Sequence, residues 1–356
     1  MLVAYKRWLI AVVVLMLILA VAALVGVQYW KRLLLAPLLH QDDVVYELKS
    51  GLGANQVLGQ LHEQQILQDS WPLKVWLKLY PQNALLKAGE YNLPAGINSY
   101  ELIEILASGQ SIQYQITLPE GWTFQQALDQ IQQHPKLSIK TADLTDQQIM
   151  QKVTGVAETN LHPEGMFFPD TYQFHKGVTD LQLLKRAYQK LQSVMAEEWG
   201  KADKSKLPYQ SAYEALIMAS IVEKETGAPE ERGRIAGVFV TRLQKQMRLQ
   251  TDPTVIYGLG DAYQGNITRK HLKQMTPYNT YRIPALPPTP IALPGREAIH
   301  AALNPEQDGS LYFVARGDGS HEFNRTLAAH NRAVREFQIY KRKKNYQSAP
   351  QTTQAQ

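Results

Sequence analysis

Apolar and polar positions fall into three regimes along this chain. From Trp8 to Tyr29 no side chain is charged. As a helix rising about 1.5 Å per residue, that run reaches roughly 33 Å, enough to cross a hydrocarbon core of about 30 Å. Trp8 and Tyr29–Trp30 stand at its ends, where interfacial aromatics belong, with Lys6 and Arg7 before it and Lys31 and Arg32 after it. The pattern predicts a retained single-pass anchor over 8–30, a cytoplasmic stub over 1–7, a linker over 31–42, and the bulk of the chain across the membrane. A cleaved signal peptide is the alternative, since Ala20-Val21-Ala22 has small-x-small form, but the apolar run continues past it.

The second regime, 43–135, repeats a grammar of strand, glycine turn and helix. Val44–Leu48 precedes a helical set Val57, Leu58, Leu61; Ala88–Tyr91 precedes Leu102, Ile103, Ile105, Leu106; Tyr114–Thr117 precedes Leu118-Pro119-Glu120-Gly121 and then Ala127, Leu128, Ile131. The spacing is too irregular for a solenoid and predicts a small α+β module. The third regime, from about Asp170, is mainly helical. One amphipathic helix carries Leu181, Leu184, Tyr188, Leu191, Val194 and Met195 behind an N-cap at Thr179 or Asp180. Another spans 211–226, and a third opens at Glu230–Glu231. Pro277 to Pro294 holds six prolines in eighteen residues and cannot be helix. Leu311–Val314 and Ser320–Phe323 form a hairpin around Arg316-Gly317-Asp318-Gly319, and Thr326 starts a last helix. The expected class is α+β: an anchor helix, a small α+β subdomain, and a mainly helical domain with a short hairpin and a proline-rich loop.

Composition narrows the chemistry. The 356 residues leave room for two or three domains, and 45% hydrophobic with 19% charged residues is a globular balance. The absence of cysteine excludes disulfides, thiolate nucleophiles, Cys-ligated metals and a lipoprotein anchor. A net charge of +5 is mild, and several of the basic residues flank the apolar run or sit in the Gln/Thr/Ser-rich tail 341–356, read as disordered. No nucleic-acid partner is expected. The nine histidines are scattered without metal-ligand spacing, and no G-x-S-x-G, H-E-x-x-H, P-loop or Rossmann pattern occurs, so neither metal nor cofactor is expected.

One carboxylate stands out. Tyr213–Val222 is apolar almost all round, which marks a buried helix, and it runs into Glu223-Lys224-Glu225-Thr226-Gly227. Gly227 reads as a C′ residue, so Glu223 falls in the last helical turn, where burial and the helix dipole both raise its pKa. That suits a general acid. On spacing alone, the commoner meaning of such a stretch is a solvated helix end with Lys224 and Glu225 as mixed surface charge. Glu225, about 200° from Glu223 around the helix, cannot partner it. Asp252 in Leu249-Gln250-Thr251-Asp252-Pro253 is the better second carboxylate, or else a turn-forming Asp-Pro. A solitary Glu suits a reaction that needs no water.

These residues carry a resemblance. Ala219–Thr226 and Arg248–Tyr257 are similar to the core motifs of the YceG-like family, as are Glu164–Tyr172, Tyr278-Asn279-Thr280-Tyr281, Leu286-Pro287-Pro288, Pro294-Gly295, Tyr312-Phe313-Val314 and His321-Glu322-Phe323-Asn324. The resemblance spans about 43–340 plus the anchor. It departs at Ala285 and Thr289, where the family usually has glycine. It implies a LysM-like subdomain over 43–135 and a catalytic domain over 136–340. Its catalytic glutamate falls on Glu223. The activity implied is lytic transglycosylation without metal or cofactor. The bond between N-acetylmuramic acid and N-acetylglucosamine in nascent peptidoglycan glycan strands is cleaved, leaving 1,6-anhydro ends and ending elongation. It implies a bacterial inner-membrane protein with its bulk in the periplasm, among peptidoglycan synthases. For the glycan, Tyr278, Tyr281, Asn279 and Gln250 offer stacking faces and hydrogen bonds. Asp252 belongs with these candidates. His321 reads foremost as a hairpin residue, with substrate contact the alternative. Two other readings stand beside the enzyme: an anchored peptidoglycan-binding scaffold, and a muramidase using Glu223 with Asp252.

Overall fold

The computed structural model describes residues 2–340, so the tail read as disordered, 341–356, lies outside the described residues. The chain divides into two compact units, one running to Tyr114 and including Phe174–Gly177, the other comprising 115–173 and the rest from Val178.

The first unit opens with α1 (Leu2–Leu35). Within Tyr5–Leu35 an 18-residue window reaches a mean hydropathy of 3.2 and is not buried within the protein, which is compatible with a single-pass membrane anchor. The expected linker over 31–42 needs correction. The helix continues to Leu35, Leu34 is fully buried and Leu38 nearly so, and both belong to the core of this unit. The Trp30 indole donates to the Pro72 carbonyl at 3.1 Å. Then follow β1 (Val44–Leu48), α2 (Ala54–Glu63), α3 (Trp71–Leu79), β2 (Gly89–Leu93) and α4 (Ser99–Ser108). β1 and β2 pair antiparallel with Tyr46 opposite Tyr91. Period-two alternation buries Tyr46 and Leu48, and the helices close over them with Leu58, Leu61, Leu73, Leu102 and Leu106. α4 starts at a capping box: Asn98 Oδ1 accepts from the Tyr100 and Glu101 amides, and Glu101 returns to the Asn98 amide.

The division falls inside β3 (Gln113–Thr117), after Tyr114, rather than at the expected boundary of 135. The reason is packing. α5 (Phe124–Gln132) buries Phe124, Ala127, Leu128 and Ile131 in the second unit; Phe124 stacks on Phe167 at 5.2 Å, and its amide donates to Glu164 at 2.9 Å. α6 (Asp146–Thr154) and β4 (Thr171–His175) follow, and β4 pairs with β3.

Four helices form the body of the second unit: α7 (Asp180–Lys201), α8 (Ala212–Glu225), α9 (Pro229–Gln244) and, after the short α10 (Asp252–Leu259) and α11 (Arg269–Lys273), α12 (Arg296–Leu303). α12 packs on α7, α8 and α9. Every residue of α8 from Ala215 to Val222 is buried, as an all-round apolar helix demands. Thr179 caps α7 as expected. β5 (Tyr312–Ala315) and β6 (His321–Asn324) pair antiparallel, and α13 (Leu327–Val334) begins behind the cap Thr326. Among the described residues the three sheets are all two-stranded, so the molecule is mixed α and β with helix dominant.

Candidate active site

α8 ends at Glu225, and Thr226 leaves it in extended backbone (φ −147°). Gly227 is not among the left-handed glycines, so the expected glycine cap is replaced by a direct exit into a strand-like segment. Glu223 on the last turn is partly buried. Two chain segments meet it. One is the end of the proline-rich loop, held to α8 by the Ile291 amide donating to Ser220 Oγ at 3.0 Å. The other is the turn before α5: the Gly121 amide donates to the Leu293 carbonyl at 2.9 Å, and the Leu293 amide to the Trp122 carbonyl at 2.7 Å. These bonds set Pro294-Gly295 beside Glu120-Gly121. The Gly295 amide donates to Glu223 Oε2 at 3.0 Å, and Lys224 Nζ donates to the Gly121 carbonyl at 3.0 Å.

Glu223 is therefore not solitary, and the expectation that it lacks a carboxylate neighbour is corrected. A Cβ added to Gly295 would fall on the Glu120 carboxylate, and one added to Gly121 would lie 3.9 Å from Glu223 Cγ. Arg232 of α9, nearly buried, pairs with Glu297 and lies 4.0 Å from Glu120. Burial pushes the Glu223 carboxyl up to about 7, and the negative charge of Glu120 adds to it. The Gly295 N–H, Arg232 and Lys224 pull the other way.

The remaining candidates gather elsewhere. Glu225, expected as surface charge, accepts from the Thr251 hydroxyl, and its carboxyl is also pushed up to about 7, by burial first and by Asp252 second. Asp252 opens α10 and accepts from the Tyr281 hydroxyl at 2.7 Å. Burial raises the Tyr281 phenol. Gln250 is exposed, in left-handed backbone at φ 53°, its amide bonded to the Thr280 carbonyl at 3.2 Å. Asp252 and Tyr281 thus group with Glu225, and Gln250 precedes the threonine that donates to it. Tyr278 donates to or accepts from Thr289 at 2.8 Å and sets its ring against the edge of Tyr257 at 4.9 Å.

Asn279 and His321 are committed to the fold. Asn279 is 1% exposed, and its amide donates to the carbonyls of His271, Leu272 and Gln274 while accepting from the Tyr281 amide. Buried and with both amide hydrogens spent on its own loop, it is placed as a tie of that loop, which argues against its assignment to substrate. His321 is buried, its Nδ1 2.7 Å from Glu231, whose other oxygen accepts the His321 amide. It ties the hairpin to α9.

Three residues with consequences at this site carried no assignment: Glu120, Arg232 and Glu164. Glu164 is 3% exposed, and burial pushes its carboxyl up to about 7, against the Phe124 amide and the Tyr257 hydroxyl. Glu120 and Glu164 both stand in segments that resemble or repeat a motif, Pro-Glu-Gly and Glu-Gly-Met, and that was the available signal. The departures at Ala285 and Thr289 are accommodated without strain. Neither residue is left-handed, so the loop does not need glycine there, and Thr289 uses its hydroxyl on Tyr278 and the Pro290 carbonyl. Among the described residues no cluster of His, Asp and Glu could hold a metal.

A carboxyl held near neutrality on a buried helix, with one oxygen fixed by a backbone N–H and a second carboxylate alongside, has the features of a candidate acid–base site on a mainly helical scaffold. The chain belongs to the YceG-like family, whose model matches residues 46–336. It is similar to an endolytic murein transglycosylase of Bacillus subtilis strain 168, with 32% identity over 305 residues, covering 82% of this chain and 83% of the relative. It is also similar to one of Streptococcus pneumoniae serotype 2, strain D39, with 30% identity over 267 residues, covering 65% of this chain and 46% of that longer protein. Among solved structures, a yceG-like protein from Listeria monocytogenes matches with a TM-score of 0.53 and 31% identity, covering 82% of this chain and 99% of that one.

Proposed function

We propose that this chain is an endolytic lytic transglycosylase of peptidoglycan, with Glu223 as its acid and base. The observation that carries the reading is the Glu223 carboxyl itself, pushed up to about 7 while the Gly295 N–H holds Oε2. Oε1 is then left to carry the proton. Protonated, it gives that proton to the glycosidic oxygen as the C1–O4 bond breaks. As carboxylate, it takes the proton of the muramic acid C6 hydroxyl as the new O6–C1 bond closes the 1,6-anhydro ring. No water is consumed. The C6 hydroxyl belongs to the same sugar, and well-oriented intramolecular attack can reach effective molarities of about 10⁵–10⁸ M. The names of the similar proteins from Bacillus and Streptococcus support the substrate class.

In this reading α1 anchors the protein in the bacterial inner membrane, the remainder works in the periplasm on nascent strands, and the strand-polymerising synthases are its partners. The first unit, with its strand–turn–helix order, is LysM-like, and Gln250, Asp252, Tyr278 and Tyr281 line the path of the glycan. A second reading, hydrolysis, is favoured by one feature: Glu120 is a carboxylate beside Glu223 that could activate water. Digestion of peptidoglycan in ¹⁸O water separates the two. Transglycosylation gives unlabelled 1,6-anhydro ends; labelled reducing ends would establish hydrolysis and overturn the proposal. If the Glu223→Gln variant folds and still cleaves at the wild-type rate, Glu223 is not the acid.

A further inference from the structure

The nine residues of α3, Trp-Pro-Leu-Lys-Val-Trp-Leu-Lys-Leu, contain no acid and only two polar side chains, both lysine. Its inner face is spent on the core of the first unit, where Leu73 is fully buried and Leu77 nearly so. Its outer face is apolar as well: Trp71, Val75 and Leu79, at successive four-residue steps, are 46%, 43% and 62% exposed. Lys74 and Lys78 are exposed beside them. At about 100° per residue these five side chains form one continuous stripe. A helix apolar on both faces is unusual in water and ordinary at a lipid boundary.

What covers that stripe is indicated by its neighbour. α3 packs on α1, and its first turn is bonded directly to the end of the apolar run, through the Trp30 indole and the Pro72 carbonyl at 3.1 Å. No flexible linker intervenes, because Leu34 on the last turn of α1 is itself buried in the core of the unit. Trp71 therefore starts within one side chain of the level at which α1 leaves the bilayer. Exposed Trp with flanking Lys is the composition of a headgroup layer, and the two exposed lysine charges match anionic lipid phosphates.

We propose that the outer face of α3 lies in the interfacial layer of the membrane that α1 crosses, so that the first unit is seated on the bilayer by a second element. The partner is the anionic lipid surface. A helix of this length does not hold a protein to a membrane alone; joined rigidly to a spanning helix, it fixes the tilt and rotation of the unit it belongs to. The inference rests on reading α1 as a membrane anchor.

The chain has no cysteine, so single sites can be labelled directly. The full chain carrying Val75→Cys, and separately Leu17→Cys, is labelled with an environment-sensitive fluorophore. Each is reconstituted into vesicles of phosphatidylethanolamine and phosphatidylglycerol. Emission is then read against a lipid-borne nitroxide and against aqueous iodide. The expected result is loss of emission to the nitroxide and protection from iodide at both positions, with Leu79→Cys repeating the Val75 pattern. A label at Leu17 that behaves this way while Val75 is quenched by iodide and not by nitroxide overturns the inference and leaves the anchor standing. Protection of Val75 from both quenchers also overturns it, since the face is then covered by protein. Iodide access at Leu17 removes the anchor reading, and the inference falls with it.

Discussion

Glu223 can act as an acid only while it holds its proton, so kcat/KM should fall as pH rises through about 7. Glu120 sharpens this. Its charge helps to hold the Glu223 proton, whereas Arg232 and Lys224 weaken that hold. Replacing Glu120 by Gln removes the raising charge and leaves the lowering ones, so the alkaline limb of the pH–rate profile should move toward acid. A limb that stays in place would exclude electrostatic coupling between the two carboxyls. Glu223→Gln keeps the shape and the acceptor for Gly295 but cannot exchange a proton; turnover should drop by about 10²–10⁴-fold, measured on isolated glycan. Glu223 was legible in the sequence because its helix is so plainly apolar that a carboxylate closing it stands out. Glu120 was not, because its proximity is created by backbone bonds between Gly121–Trp122 and Leu293, and no local pattern records them. Asn279 misled for a related reason: an amide in a Tyr-rich loop looks free until the loop's own carbonyls are found to use it.

At the scale of elements, two glycines give opposite expectations. Gly295, the N-cap of α12, has ordinary backbone (φ −73°), and its constraint is space: a Cβ would overlap the end of the Glu120 side chain. That end can swing away. Gly295→Ala should therefore cost less than about 1 kcal/mol in stability and move the pH profile in the same sense as Glu120→Gln. Gly237, inside α9, faces backbone instead, since its Cβ would overlap the Glu306 carbonyl. The main chain cannot turn aside, so Gly237→Ala should destabilise by about 1–3 kcal/mol in chemical denaturation, with the helix register intact. Equal effects of the two substitutions would show that the α9 contact yields as easily as a side chain. Helices α2, α4, α5, α7 and α9 were visible in apolar spacing because each has one wet face, and α8 because fourteen residues closed by charged ones are long enough to read as a buried helix. α3 was not, being apolar nearly all round and only nine residues long. β4 was missed within a stretch read as mainly helical: five residues alternating around buried Tyr172 and Phe174 owe their state to β3, which pairs with them from far back in the chain.

At the scale of the molecule, the long N-terminal apolar helix was legible, since length and hydropathy suffice to recognise it, while the boundary between the units was not. The third strand–turn–helix repeat looks like the two before it, yet its helix packs with Phe167 and Glu164 and so joins the second unit. That unit takes three carboxyls wholly or partly out of water, Glu164, Glu223 and Glu225, each pushed from an ordinary 4.5 up to about 7. Between these two values the folded chain holds protons that the unfolded chain would release. The stabilisation is fully present below pH 4.5 and is lost as pH rises through about 7. Glutamine at any of the three removes the titration. The Glu223→Gln variant should thus unfold at the same temperature as the parent near pH 4.5 and at a higher one near pH 8. The gap there should be about 1–3 kcal/mol, for a carboxyl that is only partly buried. Gln keeps an oxygen for the Gly295 amide, so the comparison isolates the charge. The parent would then be trading stability at working pH for a carboxyl that can give up and regain a proton, as acid–base sites do. Melting curves of the two chains that stay parallel from pH 4.5 to 8 would mean that Glu223 titrates alike folded and unfolded. The site would then lack the poised acid on which the proposed reaction depends.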